Sequence, residues 1–186
     1  MRNGKWLLAC FIVLAVVAMQ MVSVSPAAAA SAKEIERSVN SAVKKLHSKY
    51  PWTKELAEKA KGVLVFPNIV KGGFMVGGQY GEGALRKHGK TVAYYNTVSA
   101  SYGLQIGLQK YGYALFFMTD SALNYLDRSD GWELGTGPSI VVVDKGMAGG
   151  ISTTTASSDV YAFFFDQTGL MGGLGLQGTK ITRIKK

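Results

Sequence analysis

The stretch GFMVGGQYGEG, residues 73–83, carries the clearest indication of the fold. In a β-strand, residues that are two or four apart share a face. The glycines of this stretch would therefore lie on one face and its large side chains on the other, namely Gly73, Gly77, Gly81 and Gly83 against Phe74, Val76 and Tyr80. A glycine-lined face lets another layer approach closely or lets the strand coil strongly. The stretch therefore predicts a tightly packed, strongly coiled sheet.

The sequence that follows has the same composition. From Gly62 to the end lie 22 of the 23 glycines, and glycine pairs at a four-residue spacing recur at 103–107 and 169–173. Short β-branched and aromatic runs separate the glycines and predict strands at 63–66, 92–95, 113–117, 140–143 and 160–165. Residues 179–184 also alternate like a strand. Asp120 is predicted to cap one inserted helix.

Residues 33–61 carry the signals of two amphipathic helices. Apolar residues recur at three- and four-residue steps from Ile35 to Tyr50, and Pro51 interrupts this pattern. Thr53 is predicted to cap a short second helix that runs through Lys61. We therefore predict an α+β, β-rich fold: a coiled antiparallel sheet or partial barrel with N-terminal amphipathic helices and one inserted helix.

Residues 1–30 have the layout of a secretory signal peptide. A positive start, a long apolar run and Pro26 precede the small residues 28–30, which form an A-x-A cleavage site. The alternatives are an uncleaved membrane anchor and a lipoprotein that is modified at Cys10. We expect residues 31–186 to form one exported domain, in the periplasm or associated with the cell envelope.

The predicted exported chain is basic and has no cysteine. Removing Arg2 and Lys5 leaves 19 basic against 12 acidic side chains, a net charge of +7. Eight of these basic residues crowd into residues 33–61, namely Lys33, Arg37, Lys44, Lys45, Lys49, Lys54, Lys59 and Lys61. Such an excess favours anionic partners. Outside the cytoplasm these are lipid headgroups or acidic glycans, and we do not expect nucleic acid.

Catalytic and cofactor-binding patterns are weak in this sequence. Residues 173–178 match G-x-G-x-x-G, but too few residues follow to form the helix and strand that a dinucleotide site needs. His47 and His88 have no metal-ligand spacing, and we expect both to be solvated. No serine lies in a G-x-S-x-G elbow. We therefore expect no enzymatic activity, no cofactor and no metal.

The order of several short blocks resembles the SYLF family. These blocks are AKGVLVFP (60–67), GFMVGG with YGEG (73–83), SYGLQIG (101–107), LGTGP (134–138) and GLMGGL (169–174). The resemblance covers about residues 33–184. One block departs from the eukaryotic relatives, because residues 94–98 read YYNTV where those relatives have tryptophan-serine-x-proline.

The resemblance implies a membrane-lipid-binding domain, which in eukaryotic relatives binds phosphoinositides through a basic amphipathic N-terminal segment and in some also binds actin. This chain resembles the secreted bacterial branch, so we expect anionic membrane lipids as partners and do not expect actin binding. The eight basic residues of 33–61 are the predicted lipid site, with Tyr94 and Tyr95 as the next candidates. The alternative is a structural or assembly protein of the envelope that binds a protein partner through its glycine-rich sheet.

We predict that the exported protein begins at Ser31 or Lys33, because the A-x-A pattern occurs at 28–30 and a second small-residue site lies at 30–32. Intact-mass spectrometry of the exported protein measures this directly. A chain that retains Met1, or one that begins at a lipidated Cys10, would refute the prediction.

Overall fold

The computed structural model describes residues 30–74, 76–102, 107–127, 131–143, 158–169 and 178–186. Within these ranges there are three helices, α1 (Ala32–Lys49), α2 (Thr53–Lys59) and α3 (Asp120–Leu126). The eight strands are β1 (Gly62–Phe74), β2 (Val76–Lys87), β3 (Lys90–Tyr102), β4 (Gly107–Phe117), β5 (Trp132–Glu133), β6 (Ile140–Val143), β7 (Val160–Gly169) and β8 (Thr179–Ile184). The signal-peptide prediction, apart from Ala30, and Cys10 lie outside the described residues, as do residues 173–177 of the G-x-G-x-x-G match.

The strands form one open, curled sheet, a half-barrel, in the order β5-β8-β3-β2-β1-β4-β7-β6. All neighbouring strands run antiparallel except β6 and β7, which are parallel. The structure confirms the predicted β-rich α+β fold with a coiled sheet. The parallel pair at one edge is the departure from the predicted antiparallel arrangement.

The glycine stretch at 73–83 crosses a hairpin rather than lying in one strand. Gly73, one residue before the end of β1, pairs with Gly77, the second residue of β2. Farther along β2 the predicted close approach does occur: a Cβ on Gly83 would lie 2.2 Å from the carbonyl oxygen of Val65, and one on Gly81 would lie 2.8 Å from that of Asn68. The register of β1 against β2 shifts between Val65 and Asn68, at this same place. Glycine on β2 therefore makes room for an irregular turn of the β1 backbone.

The sheet buries apolar side chains on both faces. The face that we call the helix face packs against α1 and α2 through residues that include Val65, Ala84, Ala114, Phe116 and Phe163. The opposite face packs against α3 and Trp132 through residues that include Leu64, Phe66, Tyr95, Tyr113 and Leu115. Because strand side chains alternate between faces, adjacent residues such as Leu64 and Val65 serve different cores.

Helix α1 begins at a capping box. The Ser31 backbone N–H donates to Glu34 Oε2 at 2.7 Å, and the Glu34 backbone N–H donates to Ser31 Oγ at 3.3 Å. The buried residues of this helix are Ile35, Val39, Ala42 and Leu46, which follow the predicted apolar stripe. Both caps predicted from the sequence are wrong. Trp52 precedes α2, and Thr119 caps α3 with its side chain, which accepts from the Ala122 N–H at 3.3 Å. Thr53 and Asp120 are instead the first residues of their helices.

We predict that Gly83→Ala destabilises the protein more than Gly78→Ala. The added methyl group at Gly83 collides with the β1 backbone, whereas at Gly78, in the same strand, the nearest contact is an ordinary 3.6 Å to the Ser99 carbonyl oxygen. Overpacking of this kind costs about 1–3 kcal/mol of unfolding free energy. Urea denaturation of both variants measures the difference, and equal stabilities would show that β1 and β2 do not approach closely there.

Candidate functional site

Three of the predicted basic residues form a stripe along α1. At about 100° per residue, Lys33, Arg37 and Lys44 lie within about 40° of one another. All three are exposed and lie on the side of the helix opposite its buried residues. Among the described residues, none of the three forms a salt bridge. We call these three residues the basic stripe.

The other five predicted basic residues are placed differently. Three form ion pairs: Lys45 with Asp166 at 2.7 Å, Lys59 with Glu55 at 2.9 Å and Lys61 with Asp120 at 3.7 Å. The Lys49 ammonium lies 5.5 Å from the centre of the Tyr50 ring. Lys54 is exposed and lies beside His47 at a surface depression. The structure therefore divides the predicted set, and only the basic stripe presents three aligned cations outside a salt bridge; hydrogen bonds from Ser31, and secondarily the charge of Arg37, lower the pKa of the Glu34 carboxyl.

Tyr94 and Tyr95, the next candidates for lipid contact, are engaged inside the molecule. The Tyr94 hydroxyl donates to Glu36 Oε1 at 3.1 Å, and burial raises the pKa of Tyr94. Tyr95 is fully buried, and its hydroxyl donates to Asp127 Oδ1 at 2.6 Å. The Tyr94 ring is half-buried against the core of the helix face, and the Tyr95 ring lies fully inside the core of the opposite face.

The sequence reasoning missed an exposed apolar surface on the helix face. Val70, Tyr80 and Val98 lie side by side on β1, β2 and β3, each between 43% and 48% exposed, and Leu108 on β4 is 57% exposed. In the same cross-strand row, Lys110 on β4 lies next to Val70, and Lys180 on β8 lies next to Val98. We call Val70, Tyr80, Val98 and Leu108 the apolar patch. The alternation of β2 indicated Tyr80, but only strand pairing brings the four residues together.

The two histidines, which were expected to be solvated and separate, line one pocket. The pocket has a volume of about 100 Å³, with Leu46, Ala60 and Phe116 in its floor and His47, Arg86 and His88 in its walls and rim. We call it the histidine pocket. His88 lies at the turn between β2 and β3 with a φ of 48°, and His47 lies near the end of α1. The two histidines are 41 residues apart in the sequence, so their spacing gave no indication that they line the same pocket.

His47 is held by a buried hydroxyl. The Thr53 hydroxyl donates to the Tyr50 carbonyl oxygen at 2.6 Å and lies 2.8 Å from His47 Nδ1. Since the single hydroxyl proton is used on Tyr50, Nδ1–H must be the donor to Thr53. Burial, and secondarily the positive charge of Lys54, lowers the pKa of His47 below its usual 6.5. Neutral His47 therefore carries its proton on Nδ1 and its lone pair on Nε2.

The described residues contain no cluster of three or more histidine, cysteine, aspartate or glutamate side chains that could hold a metal ion. Among the same residues, no helix has the length and apolar character required to cross a bilayer.

We predict that His47 makes stability depend on pH. Its folded-state pKa is lowered, so the unfolded chain binds the proton more readily, and stability is lost as the pH falls below about 6.5. His47→Gln should therefore lose less stability than wild type between pH 7.5 and pH 5.5, as measured by thermal unfolding. Ser41→Gln, at an exposed position of the same helix, is the control and should behave like wild type. Equal losses in His47→Gln and wild type would contradict the prediction.

Comparison with known proteins bears on the second half of the chain. Residues 98–186 match the model of the family Ysc84, described as Las17-binding protein actin regulator. This match agrees with the resemblance to the SYLF family and confirms it for these residues. No curated protein matches the chain. The matched region begins within β3, so helix α1 and the basic stripe lie before it.

Proposed function

We propose that this protein is a non-enzymatic module that binds anionic phospholipid headgroups at the surface of a membrane of the cell envelope. The match of residues 98–186 to the Ysc84, or SYLF, family model supports this proposal. The family is a family of binding domains and supports a lipid- or actin-binding type of function. The observation that carries the proposal is the basic stripe. The proposed export separates the protein from cytosolic actin, which favours the lipid.

The packing of α1 determines how this helix can bind a membrane. Ile35, Val39 and Leu46 are each at most 3% exposed because they pack against the sheet. They cannot enter a bilayer while the fold is intact. The helix therefore offers charge and not an apolar face, so binding through it is electrostatic and reversible.

The strength of such binding follows from the number of engaged charges. A lysine or arginine near an anionic surface contributes about 1 kcal/mol, and this contribution fades beyond a Debye length of about 8–10 Å. Three residues of the basic stripe therefore supply roughly 3 kcal/mol. This suits recruitment to a membrane surface that salt can reverse, and it is far weaker than a membrane-spanning anchor.

We predict that the triple variant K33E/R37E/K44E loses binding to anionic vesicles by at least about 100-fold, since roughly 3 kcal/mol of attraction is replaced by repulsion. Vesicle co-sedimentation at low salt measures this loss. The melting temperature should stay close to that of wild type, because none of the three side chains is buried.

The matched control is K87E/K90E/K185E, which makes the same change of charge at three exposed lysines outside α1. It should keep most of the binding, and moderate salt should weaken the wild type. If both triple variants lose binding equally, net charge and not the basic stripe attracts the membrane. If K33E/R37E/K44E still sediments with anionic vesicles, the proposal is wrong.

The apolar patch favours a second candidate function, a structural or assembly role in the envelope in which a protein partner docks on the glycine-rich sheet. Exposed apolar groups on adjacent strands are typical of interaction sites. The two candidates differ in their response to salt, because apolar contacts are not screened. Salt-resistant capture of an envelope protein without lipid would favour the second.

A further inference from the structure

The apolar patch is a part of the helix face that α1 leaves uncovered. Tyr80 and Ala84 lie on the same face of β2, because side chains alternate along a strand. Ala84 packs in the core under α1, whereas Tyr80 is 48% exposed. Ala30, which precedes α1, and Ile35 near its start line one depression together with Val70 and Tyr80. Helix α1 therefore begins at the border of the patch and runs away from it, toward the histidine pocket.

The patch and its surroundings on β1 to β4 carry no acidic side chain over two cross-strand rows. The first row contains Val70, Tyr80 and Val98, and the second contains Leu108, Gly72, Gly78 and Ala100. Leu108 leans across β1, since a Cβ on Gly72 would lie 3.3 Å from its Cδ1. The two glycines keep the surface low between the larger side chains, so these side chains can touch one flat apolar layer together.

Lysines flank the patch on both sides. Lys110 on β4 and Lys180 on β8 are exposed, and neither forms a salt bridge among the described residues. The first acidic residue of this row is Glu133 on β5, on the far side of Lys180. Binding to a membrane interface grows with the apolar area that is buried and with the attraction of cations to anionic lipids. Apolar side chains between two lysines supply both contributions.

The patch and the basic stripe project to the same side of the molecule. Helix α1 packs on the helix face, so its outward residues point away from the sheet, as the side chains of the patch also do. Lys33 belongs to the first turn of α1, next to the patch. Because a helix is about 10 Å thick, the molecule must tip toward the start of α1 for one surface to meet both. A planar membrane can then contact Lys33 and the patch together.

The size of the patch favours a membrane over a protein partner. Four neighbouring strands span about 14 Å, and two rows with their side chains bring the area to about 200 Å². A stable protein interface buries about 800 Å² on each partner. The patch is several times smaller than that, whereas a peripheral membrane contact can be made by a few apolar side chains that act together with charge.

We propose that the apolar patch enters the headgroup region of an anionic membrane, with Val98 and Leu108 inserted and with Lys110 and Lys180 against the lipid phosphates. This inference rests on the membrane function proposed above. It adds to the basic stripe an apolar contact on the sheet, which salt does not screen.

A fluorescent label that shifts to the blue in apolar surroundings tests the contact. The exported protein, with Cys10→Ser, carries the NBD label at Ala100→Cys in the patch or at Ser121→Cys on α3 as the reference; both positions are exposed. On vesicles of phosphatidylglycerol and phosphatidylcholine, the label at 100 should shift to the blue and be quenched by nitroxide lipids, and the label at 121 should do neither.

Two results with the label would overturn the proposal. If the label at 100 stays accessible to aqueous iodide while the protein sediments with the vesicles, the patch faces away from the membrane and is left to a protein partner. If the label is protected without vesicles, increasingly so with protein concentration, a second copy of the chain covers the patch.

A pair of double variants measures what the patch contributes. Val98→Ser/Leu108→Ser should weaken vesicle binding about tenfold, because two half-exposed apolar side chains no longer leave water. The factor should be the same at low and at moderate salt. Val92→Ser/Val142→Ser is the control, since these valines are 48% and 44% exposed outside the patch, and it should bind like wild type. Melting temperatures report whether each variant is folded.

The variants separate this proposal from the function on which it rests. Absence of vesicle binding by the wild type would overturn both. Unchanged binding by Val98→Ser/Leu108→Ser, together with lost binding by K33E/R37E/K44E, would overturn only the role of the patch. The reverse pair of results would overturn only the basic stripe.

Discussion

The burial of four α1 side chains against the sheet is the contact on which both the basic stripe and the histidine pocket depend. Ile35, Val39, Ala42 and Leu46 are at most 4% exposed, and a helix that buries one stripe must present the opposite stripe to solvent. The basic stripe faces outward for that reason. The same packing holds Asn40 beside Arg86 and places Leu46 in the floor of the histidine pocket. Loosening of α1 would therefore disturb the basic stripe and the histidine pocket together.

The curled sheet forms the surface on which α1 packs, and its curl depends on glycines at positions where neighbouring groups approach closely. Gly81 and Gly83 give room to the irregular β1 backbone, and a Cβ on Gly112 would lie 2.3 Å from the Phe165 ring. The opposite face carries a buried polar network that fixes strand register: Tyr111 donates to Gln79 at 2.6 Å, and Gln79 donates to Thr179 at 3.1 Å. A register slip would separate these partners and leave them unsatisfied in the interior.

Local signals made most of the fold predictable, and long-range pairing accounts for what they missed. The runs at 63–66 and 160–165 are apolar enough to indicate strands by themselves, and the apolar stripe of α1 was visible from its spacing. The hairpin between Gly73 and Gly77 was missed because glycines give no alternation that would reveal a turn. Lys45 was predicted to bind lipid, but its pairing with Asp166, 121 residues away, follows only from the packing of α1 beside β7. For the same reason, the local sequence around His47 or around His88 could not show that both side chains line one pocket.

The central proposal is that the outward side of α1 faces an anionic membrane. A spin label on a cysteine at Ser41, in a chain with Cys10 replaced by serine, reports this contact, and a label at Ser121 on α3 is the reference; both positions are exposed. Electron paramagnetic resonance in the presence of a water-soluble relaxation agent measures the exposure of each label. We predict that anionic vesicles protect the label at 41 and leave the label at 121 accessible. Protection at 121 alone, or no protection at 41 while the protein sediments with the vesicles, would contradict the account.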